Sequence, residues 1–133
     1  MIIQSETRER FLKAIAAQVP PERIAEIHFF PPIKQGGVES GVAVVVENVS
    51  PDAPRMVVYS ARYRLTLKGP DRGKWETNMV AEADAPLVAV DAVVRGVQRR
   101  SGDVDDATKM EGDEIRAALG TTTPSFGATT PSS

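Results

Sequence analysis

Residues 56–84 read MVVYSARYRLTLKGPDRGKWETNMVAEAD, and this stretch decides the fold class. Apolar and polar side chains alternate along both of its arms, which flank the glycine- and proline-containing segment 69–73. Side chains of a β-strand change face at every residue, so each arm is predicted to be a strand with one buried face. Segment 69–73 has the composition of a turn. The stretch therefore predicts an antiparallel hairpin that lies between the core and solvent.

The two faces of this hairpin differ in chemistry. The aromatic residues share the apolar face: Tyr59, Tyr63 and Trp75. The basic residues on or near the opposite face are Arg62, Arg64, Lys68 and Lys74. Hairpin register brings Glu76 near Thr66 or Arg64. It brings Glu82 near Ser60 or Arg62. Opposite charges on neighbouring strands are ordinary solubilising pairs, so this face is predicted to be only partly basic.

The composition is that of one globular domain. The chain has 133 residues, a length that supports a single core. It has no cysteine, which excludes disulfides, thiolate metal sites and thiol nucleophiles. The sequence has neither an apolar run long enough to span a bilayer nor a signal-peptide pattern, so we expect a cytoplasmic protein. The net charge is −2, but residues 1–102 hold 14 Lys/Arg against 12 Asp/Glu, whereas residues 103–119 hold 2 against 6.

A helix and two further strands are predicted before the hairpin. Residues 5–19 place apolar side chains at helical spacing, and Pro20-Pro21 ends that helix because proline cannot donate to the helical ladder. Strands are predicted at residues 23–30 and 38–49. Pro31-Pro32 removes two consecutive backbone donors, which is typical of a strand at a sheet edge.

A second helix is predicted after the hairpin, with Asp84 as its cap and Pro86 near its start. Its apolar stripe comprises Leu87, Val90, Val94 and Val97. The predicted fold is therefore α+β, with an N-terminal helix, a four-stranded antiparallel meander and a C-terminal helix packed on one sheet face. The simplest arrangement places both helices on the same face. The strand at 38–49 is apolar on both sides, which indicates further cover by a helix or a partner.

Three regions are predicted along the chain. Residues 1–102 form a single α+β domain. Residues 103–119 form an acidic and partly helical appendage, interrupted at Gly112, which is expected to dock on a basic surface of its own domain or of a partner. Residues 120–133 are rich in Thr, Ser and Pro and are predicted to be a disordered tail.

Function is predicted from surfaces, because no motif in the chain identifies a family. The first two predicted strands combine aromatic, proline and aliphatic side chains in positions that the core does not obviously use. This pattern predicts a non-catalytic protein-interaction or assembly module that binds a protein partner or forms a homo-oligomer. The predicted contact residues are His28, Phe30, Pro31, Pro32, Ile33, Ala43, Val45 and Val49.

Two other functions stay open. The first alternative is nucleic-acid binding through Arg62, Arg64, Lys68 and Lys74, although that face has no aromatic side chain on which bases could stack. The second is an enzyme with a pocket in which His28, the single histidine, is oriented by Glu26. We expect no catalysis, metal or cofactor. The densest acidic cluster, residues 103–106, lacks the spacing and glycine of a calcium loop.

Overall fold

The computed structural model describes residues 5–50, 52 and 54–120, and this part of the chain folds into one six-stranded sheet with three α-helices. The helices are α1 (Ser5–Ala16), α2 (Val90–Arg100) and α3 (Gly112–Ala118). The strands are β1 (Ile24–Phe29), β2 (Ile33–Gln35), β3 (Val38–Asn48), β4 (Met56–Thr66), β5 (Trp75–Ala85) and β6 (Thr108–Glu111). A single 3-10 turn, Pro21–Arg23, precedes β1.

All strand pairs are antiparallel, and the sheet order is β5-β4-β3-β1-β6, with β2 paired to β3. The α+β class is confirmed, and the predicted hairpin is β4 and β5, with Arg64 directly opposite Glu76. The sheet has six strands rather than four. The sequence reading missed β2, which resumes pairing after Pro31-Pro32, and β6, which has only four residues.

The expectation that both helices share one face is wrong. On one face, Phe11, Leu12 and Ile15 of α1 pack against β3 and β4. On the opposite face, Val97 of α2 packs against Val44, Val46 and Val58. The physical reason is the sequence of β3, which is apolar on both sides and therefore requires cover on both faces. The molecule has three layers: helix, sheet, helix.

The end of β5 differs from the prediction because of a β-bulge in its pairing with β4, between Val58 and Tyr59. A bulge adds one residue to one strand, so the side chains beyond it point to the opposite face of the sheet from the one that simple alternation predicts. Asp84 consequently lies within β5 and bonds Arg55 through both carboxylate oxygens, at 2.9 and 2.7 Å. It does not cap α2, which begins four residues beyond Pro86 and has no side-chain cap.

The acidic segment 103–119 contains a helix, as predicted, and is more closely integrated into the domain than an appendage. Strand β6 pairs with β1, so its backbone extends the main sheet. Ile115 of α3 is fully buried in the core beneath α1. Arg116 donates to the carbonyl oxygens of Pro21 and Ile24, at 3.2 and 3.4 Å. The segment therefore docks through backbone pairing and burial rather than on a basic surface. Of the predicted tail, residues 121–133 lie outside the described residues.

Two buried carboxylates on the α1 side of β3 are each held by a tyrosine of β4. Tyr63 donates its hydroxyl to Glu39 and Tyr59 donates to Glu47, both at 2.6 Å. Burial and this hydrogen bond raise the pKa of Tyr59 to about 12. The pKa of Tyr63 is raised further in the same direction, and burial is again the first cause. These pairs satisfy charges that would otherwise be costly inside the domain.

Candidate binding groove

The α2 side of the sheet is covered over only part of its length. Helix α2 and strands β3, β4 and β5 each contain 11 residues. At 1.5 Å per helical residue the helix is roughly 16 Å long, whereas at 3.3 Å per strand residue the strands extend roughly 36 Å. The helix therefore lies over the apolar rows around Val44 and Val58 and leaves the far rows of the same face open.

The open part of the sheet contains a hollow of about 420 Å³. Its lining is a three-by-three patch of the sheet, three consecutive residues from each of β3, β4 and β5: Ser40, Gly41, Val42, Arg62, Tyr63, Arg64, Glu76, Thr77 and Asn78. Register places Ser40, Arg64 and Glu76 in one cross-strand row. Val42, Arg62 and Asn78 form the row nearer to α2. The side chains of both rows face the same side of the sheet.

A smaller hollow of about 90 Å³ adjoins the first and shares Ser40, Val42 and Arg62 with it. Its other lining residues come from the segment around β2 and from the end of α2: Phe30, Pro31, Ile33, Ser101 and Val104. The two hollows together make a groove, called the Arg62 groove below. Apolar surface predominates in both hollows, and the polar share is greater in the larger one.

Arg62 stands where the two hollows meet. Its side chain is half-buried, and among the described residues neither Arg62 nor Arg64 has a carboxylate within 4.0 Å. Glu82 is near enough for Arg62 to help lower the pKa of that carboxyl. The larger causes are its hydrogen bonds to Arg100 and Ser60, however, so this carboxylate is already engaged. Arg62 therefore lines both hollows without an ion-pair partner among the described residues, and its guanidinium offers only hydrogen-bond donors.

Ser101, the residue that follows α2, adds a second polar group to the smaller hollow. Its backbone N–H continues the helical bonding to Val97 at 3.0 Å. Its hydroxyl oxygen is buried and has no hydrogen-bond partner among the described residues. A buried hydroxyl without a partner is uncommon in a folded protein, because the loss of its bonds to water is not repaid. Ser101 thus lines the smaller hollow while its hydroxyl oxygen is shielded from solvent.

The structure disperses the predicted partner-contact residues. Ala43 and Val45 are 0% exposed beneath α1, and Phe30 is 2% exposed on the α2 side. Pro32 is buried, and Pro31 and Val49 are half-buried. These positions correct the expectation that the apolar side of the first two predicted strands is a free surface, because the domain's own helices cover it. Ile33, 44% exposed, is the predicted contact residue that faces solvent most clearly.

The predicted basic residues fall into two groups. Arg62 and Arg64 line the groove. Lys68 and Lys74 are exposed near the hairpin turn, outside the groove lining, and Lys74 lies 3.9 Å from the carboxylate of Glu76. Trp75 packs on the other side of the sheet, stacked on Tyr63 with ring centroids 4.9 Å apart. The prediction that aromatic and basic side chains occupy opposite faces agrees with this arrangement.

His28 and Glu26 are paired as the enzyme hypothesis supposed, with Nε2 and Oε1 at 2.7 Å. The His28 side chain is only 12% exposed, and its cross-strand neighbours are Val44 and Lys109. Neither hollow of the groove is lined by His28. The pair therefore stands apart from the Arg62 groove.

Sequence reasoning missed several groups of the groove, chiefly Ser40, Asn78 and Ser101. The first two share a face with Arg62 and Arg64, so their position follows once the register of β3 and β5 is known. The position of Ser101 depends on where α2 crosses the sheet. Periodicity along the chain contains no signal for that crossing point.

Comparison of the chain with protein-family models, curated proteins and solved structures gave no match. Among residues 5–50, 52 and 54–120, no helix has the length and apolar character needed to cross a membrane. The same residues contain no group of three or more His, Asp or Glu side chains arranged to hold a metal ion. The chain is thus an α+β domain with a partly open sheet face, and its function has to be argued from the Arg62 groove.

Proposed function

We propose that this chain is a non-catalytic protein-interaction domain that holds an extended acidic segment of a partner protein in the Arg62 groove. The proposal retains the class of function predicted from the sequence and moves the contact surface. The proposed contact surface is the open rows of the sheet, instead of the residues of the first two predicted strands that are buried. Pro31 and Ile33 remain part of the surface, as lining of the smaller hollow.

The single observation that supports this function best is the half-buried residue Arg62, which lines both hollows and has no ion-pair partner among the described residues. A cation that is partly removed from water interacts strongly with an anion placed beside it, because little solvent screens the pair. Arginine is also, with Trp and Tyr, one of the residue types enriched among the residues that provide most of the binding energy at protein interfaces. An acidic partner segment supplies the missing charge.

The shape of the groove favours a chain over a compact small molecule. It extends across β3, β4 and β5 and continues towards β2, so its lining comes from four strands and the end of α2. The exposed Ile33 gives it an apolar border, and Ser40 and Asn78 give it polar sides. An apolar anchor beside a polar rim is the usual anatomy of a protein interface.

Nucleic-acid binding is the weaker candidate. Glu76 places a negative charge in the larger hollow and lies close to Lys74, so the positive charge there is partly compensated. Phosphate-backbone recognition depends on uncompensated positive charge, and single-stranded binding also uses aromatic platforms. Tyr59, Tyr63 and Trp75 are packed on the opposite face. The groove also includes apolar walls that a phosphodiester backbone would not use.

The enzyme hypothesis remains an untested prediction and is not proposed. Its observation is the 2.7 Å bond between His28 and Glu26. A base and its orienting carboxylate need a substrate space next to them, and the groove lies elsewhere. The predicted cytoplasmic location and homo-oligomerisation belong to the proposal as expectations.

A peptide selection tests the proposed function. The full chain is immobilised and used to select from a random 12-residue phage-display library, and selected peptides are then measured by fluorescence anisotropy. We expect acidic peptides whose affinity falls about tenfold or more in Arg62→Gln. They should bind Arg8→Gln normally, because Arg8 lies on α1 across the sheet. The proposal would be contradicted if the selected peptides bound Arg62→Gln as tightly as the parent chain, or if the selection enriched no peptide. A salt-dependent complex with a dT12 oligonucleotide that requires Arg62 would favour the alternative.

A further inference from the structure

Strand β5 forms one edge of the sheet, and no described strand lies on its outer side. It contains 11 residues, whereas β6 at the opposite edge contains four. An exposed edge presents a row of unpaired backbone N–H and C=O groups on which a further strand can form. Proteins commonly block such edges with proline or lysine, and Trp75–Ala85 contains neither. The β5 edge therefore offers a template to an extended segment of another chain.

The hydrogen bonding of the hairpin identifies which backbone groups of β5 face outward. In an antiparallel pair, residues that exchange hydrogen bonds alternate with residues whose N–H and C=O groups point away from the partner strand. Thr66 donates its N–H to the carbonyl of Lys74 at 3.0 Å, so the bonded positions of β5 are the even-numbered ones. The N–H and C=O groups of Thr77 and Met79 therefore point out of the sheet. The bulge beyond residue 81 limits this regular pattern to residues 75–81.

The Arg62 groove reaches the same edge. The outer lining of its larger hollow consists of residues 76–78, in the middle of the regular stretch. The side chains of Thr77 and Asn78 are both exposed. Because successive side chains of a strand point to opposite faces, every second side chain of a strand added along β5 would lie at the mouth of this hollow. The backbone edge and the groove thus form one continuous surface.

The residue opposite Asn78 determines which side chain the groove favours. Asn78 is uncharged and pairs with Arg62, which has no ion-pair partner among the described residues. A strand added to β5 lies roughly 10 Å from β4, twice the spacing of neighbouring strands, and an arginine and a carboxylate side chain can bridge that gap together. Opposite Glu76, by contrast, a carboxylate would meet a like charge. The favoured segment therefore has an acidic residue at the Asn78 position and a neutral or basic one at the Glu76 position.

A second copy of β5 does not provide this arrangement. If residues 75–81 of two copies paired antiparallel about their midpoint, Asn78 would lie opposite Asn78 and Glu76 would lie opposite Val80. No carboxylate would then enter the row of Arg62. A segment of a different protein is the better match to the edge.

We propose that the partner segment binds as an additional antiparallel strand along residues 75–81 of β5, with an acidic residue opposite Asn78 and facing the row of Arg62. This inference rests on the proposed function, because it specifies how the same partner is held. Backbone hydrogen bonds to Thr77 and Met79 provide affinity, and alternate side chains provide specificity. Antiparallel pairing matches the existing pairs of this sheet and is slightly more stable per residue than parallel pairing.

Backbone-methylated peptides test the pairing without any change to the protein. The probe is fluorescein-labelled Gly-Ser-Val-Asp-Val-Ser-Gly, measured by anisotropy against the full chain. With aspartate opposite Asn78, the two valines lie opposite Thr77 and Met79, and their N–H groups face β5. N-methylation of either valine should weaken binding about tenfold or more, because a donor is lost and a methyl group enters the pairing. N-methylation of aspartate is the matched control and should change the affinity less than threefold, because that N–H faces away from β5.

Two measurements on the chain complement the peptides. Binding should slow amide exchange at Thr77 and Met79 at least tenfold, since their N–H groups become bonded. Thr77→Pro removes an outward N–H and should abolish binding, whereas Thr77→Ala should retain it; proline is tolerated at an edge when its nitrogen faces solvent, and circular dichroism checks the fold. Asn78→Asp should weaken the aspartate peptide several-fold and leave an asparagine version unchanged.

The inference would be overturned if the valine-methylated peptides bound as tightly as the parent peptide, or if exchange at Thr77 and Met79 stayed the same. Sedimentation that shows a dimer of the chain, lost in Thr77→Pro, would also overturn it by identifying a second copy as the occupant. These results leave the proposed function intact if peptide binding still requires Arg62. Failure of the proposed function itself appears as selected peptides that bind independently of Arg62.

Discussion

Replacement of Gly41 by alanine is the sharpest structural test of how the sheet is packed beneath the groove. Gly41 lies directly opposite Tyr63 in the β3–β4 pair. A Cβ atom built on Gly41 would overlap atom Cε2 of the Tyr63 ring and lie 2.8 Å from Cδ2. The ring cannot move freely, because it stacks on Trp75 and meets Phe11 edge-on with centroids 4.8 Å apart.

The expected cost follows from what the ring would lose on moving. The hydroxyl of Tyr63 donates to the buried Glu39, and a hydrogen bond to a charged group contributes about 1.5–3 kcal/mol. The two aromatic contacts contribute about 0.5–1.5 kcal/mol each. Partial loss of these terms exceeds the gain of about 0.5–1 kcal/mol from a less flexible unfolded chain. We therefore expect Gly41→Ala to lower the free energy of unfolding by about 2–4 kcal/mol.

Urea denaturation followed by far-UV circular dichroism measures this change without relying on Trp75, which touches the displaced ring. With an m-value of about 2 kcal/mol per M, in the middle of the usual range, the midpoint should fall by roughly 1–2 M. Gly96→Ala is the matched control, because a Cβ at that helical position meets nothing within 4 Å. It should raise stability by up to about 1 kcal/mol. An unchanged midpoint for Gly41→Ala would refute the packing of Tyr63 over Gly41. When Gly41→Ala is added to a variant that already carries Tyr63→Leu, it should lower the free energy of unfolding by clearly less than it does in the parent chain.

Three further perturbations have defined outcomes. The pKa of Glu82 is lowered below its ordinary 4.5, first by its hydrogen bonds to Arg100 and then by that to Ser60. As the pH falls, Glu82 of the unfolded chain therefore binds a proton before Glu82 of the folded chain does, and the free energy of unfolding should fall below about pH 4.5. In Arg100→Gln, the free energy of unfolding should fall less steeply with pH in this range than in the parent. Burial raises the pKa of Tyr59 to about 12. The stability that the protonated Tyr59 contributes should therefore persist up to pH 10 and disappear between pH 10 and 12. An alkaline titration in which Tyr59→Phe has the same slope as the parent would contradict this. Arg116→Ala removes the bonds to Pro21 and Ile24 and should accelerate amide exchange in residues 108–119 selectively. Uniform acceleration across the sheet would show that the segment is not a separate unit.

Alternation along residues 56–84 was sufficient to predict the hairpin and much of its register. The pattern brings Glu76 near Arg64 and Glu82 near Ser60, and the structure contains both neighbours. It failed beyond the bulge, since an inserted residue breaks the two-residue period without changing composition. Asp84 was predicted as a helix cap because Pro86 follows it, whereas it lies within β5 and pairs with Arg55.

Placement of the layers could not be derived from local patterns. The apolar character of both sides of β3 indicated cover on both faces, but not whether a helix or a partner provides it. Helix α1 provides it for Ala43 and Val45. Buried Glu39 and Glu47 were not predicted, because a charged residue in a strand normally indicates the solvent side. Their partners are tyrosine hydroxyls that are 24 and 12 residues away in the sequence, together with Lys34 at 3.9 Å from Glu39 and Arg23 at 3.1 Å from Glu47.

The groove was predictable only in part. Arg62 and Arg64 were found from alternation, and Ile33 from its position after two prolines. The open rows exist because a helix of 11 residues is shorter than strands of equal residue number, which is a consequence of rise per residue. Where α2 lies on the sheet, and hence that Ser101 lines the smaller hollow, is decided by packing of Val97 and its neighbours.

The central claim is that the open rows of the α2 face, rather than the α1 face, are the binding surface. The direct measurement is a titration of the ¹⁵N-labelled full chain with the peptide Gly-Ser-Val-Asp-Val-Ser-Gly, followed by amide chemical shifts. We expect saturable shifts at residues 40–42, 62–64, 76–78 and 101, with little change along α1. Shifts that concentrate on α1 or around His28, or that persist unchanged in Arg62→Gln, would contradict the account.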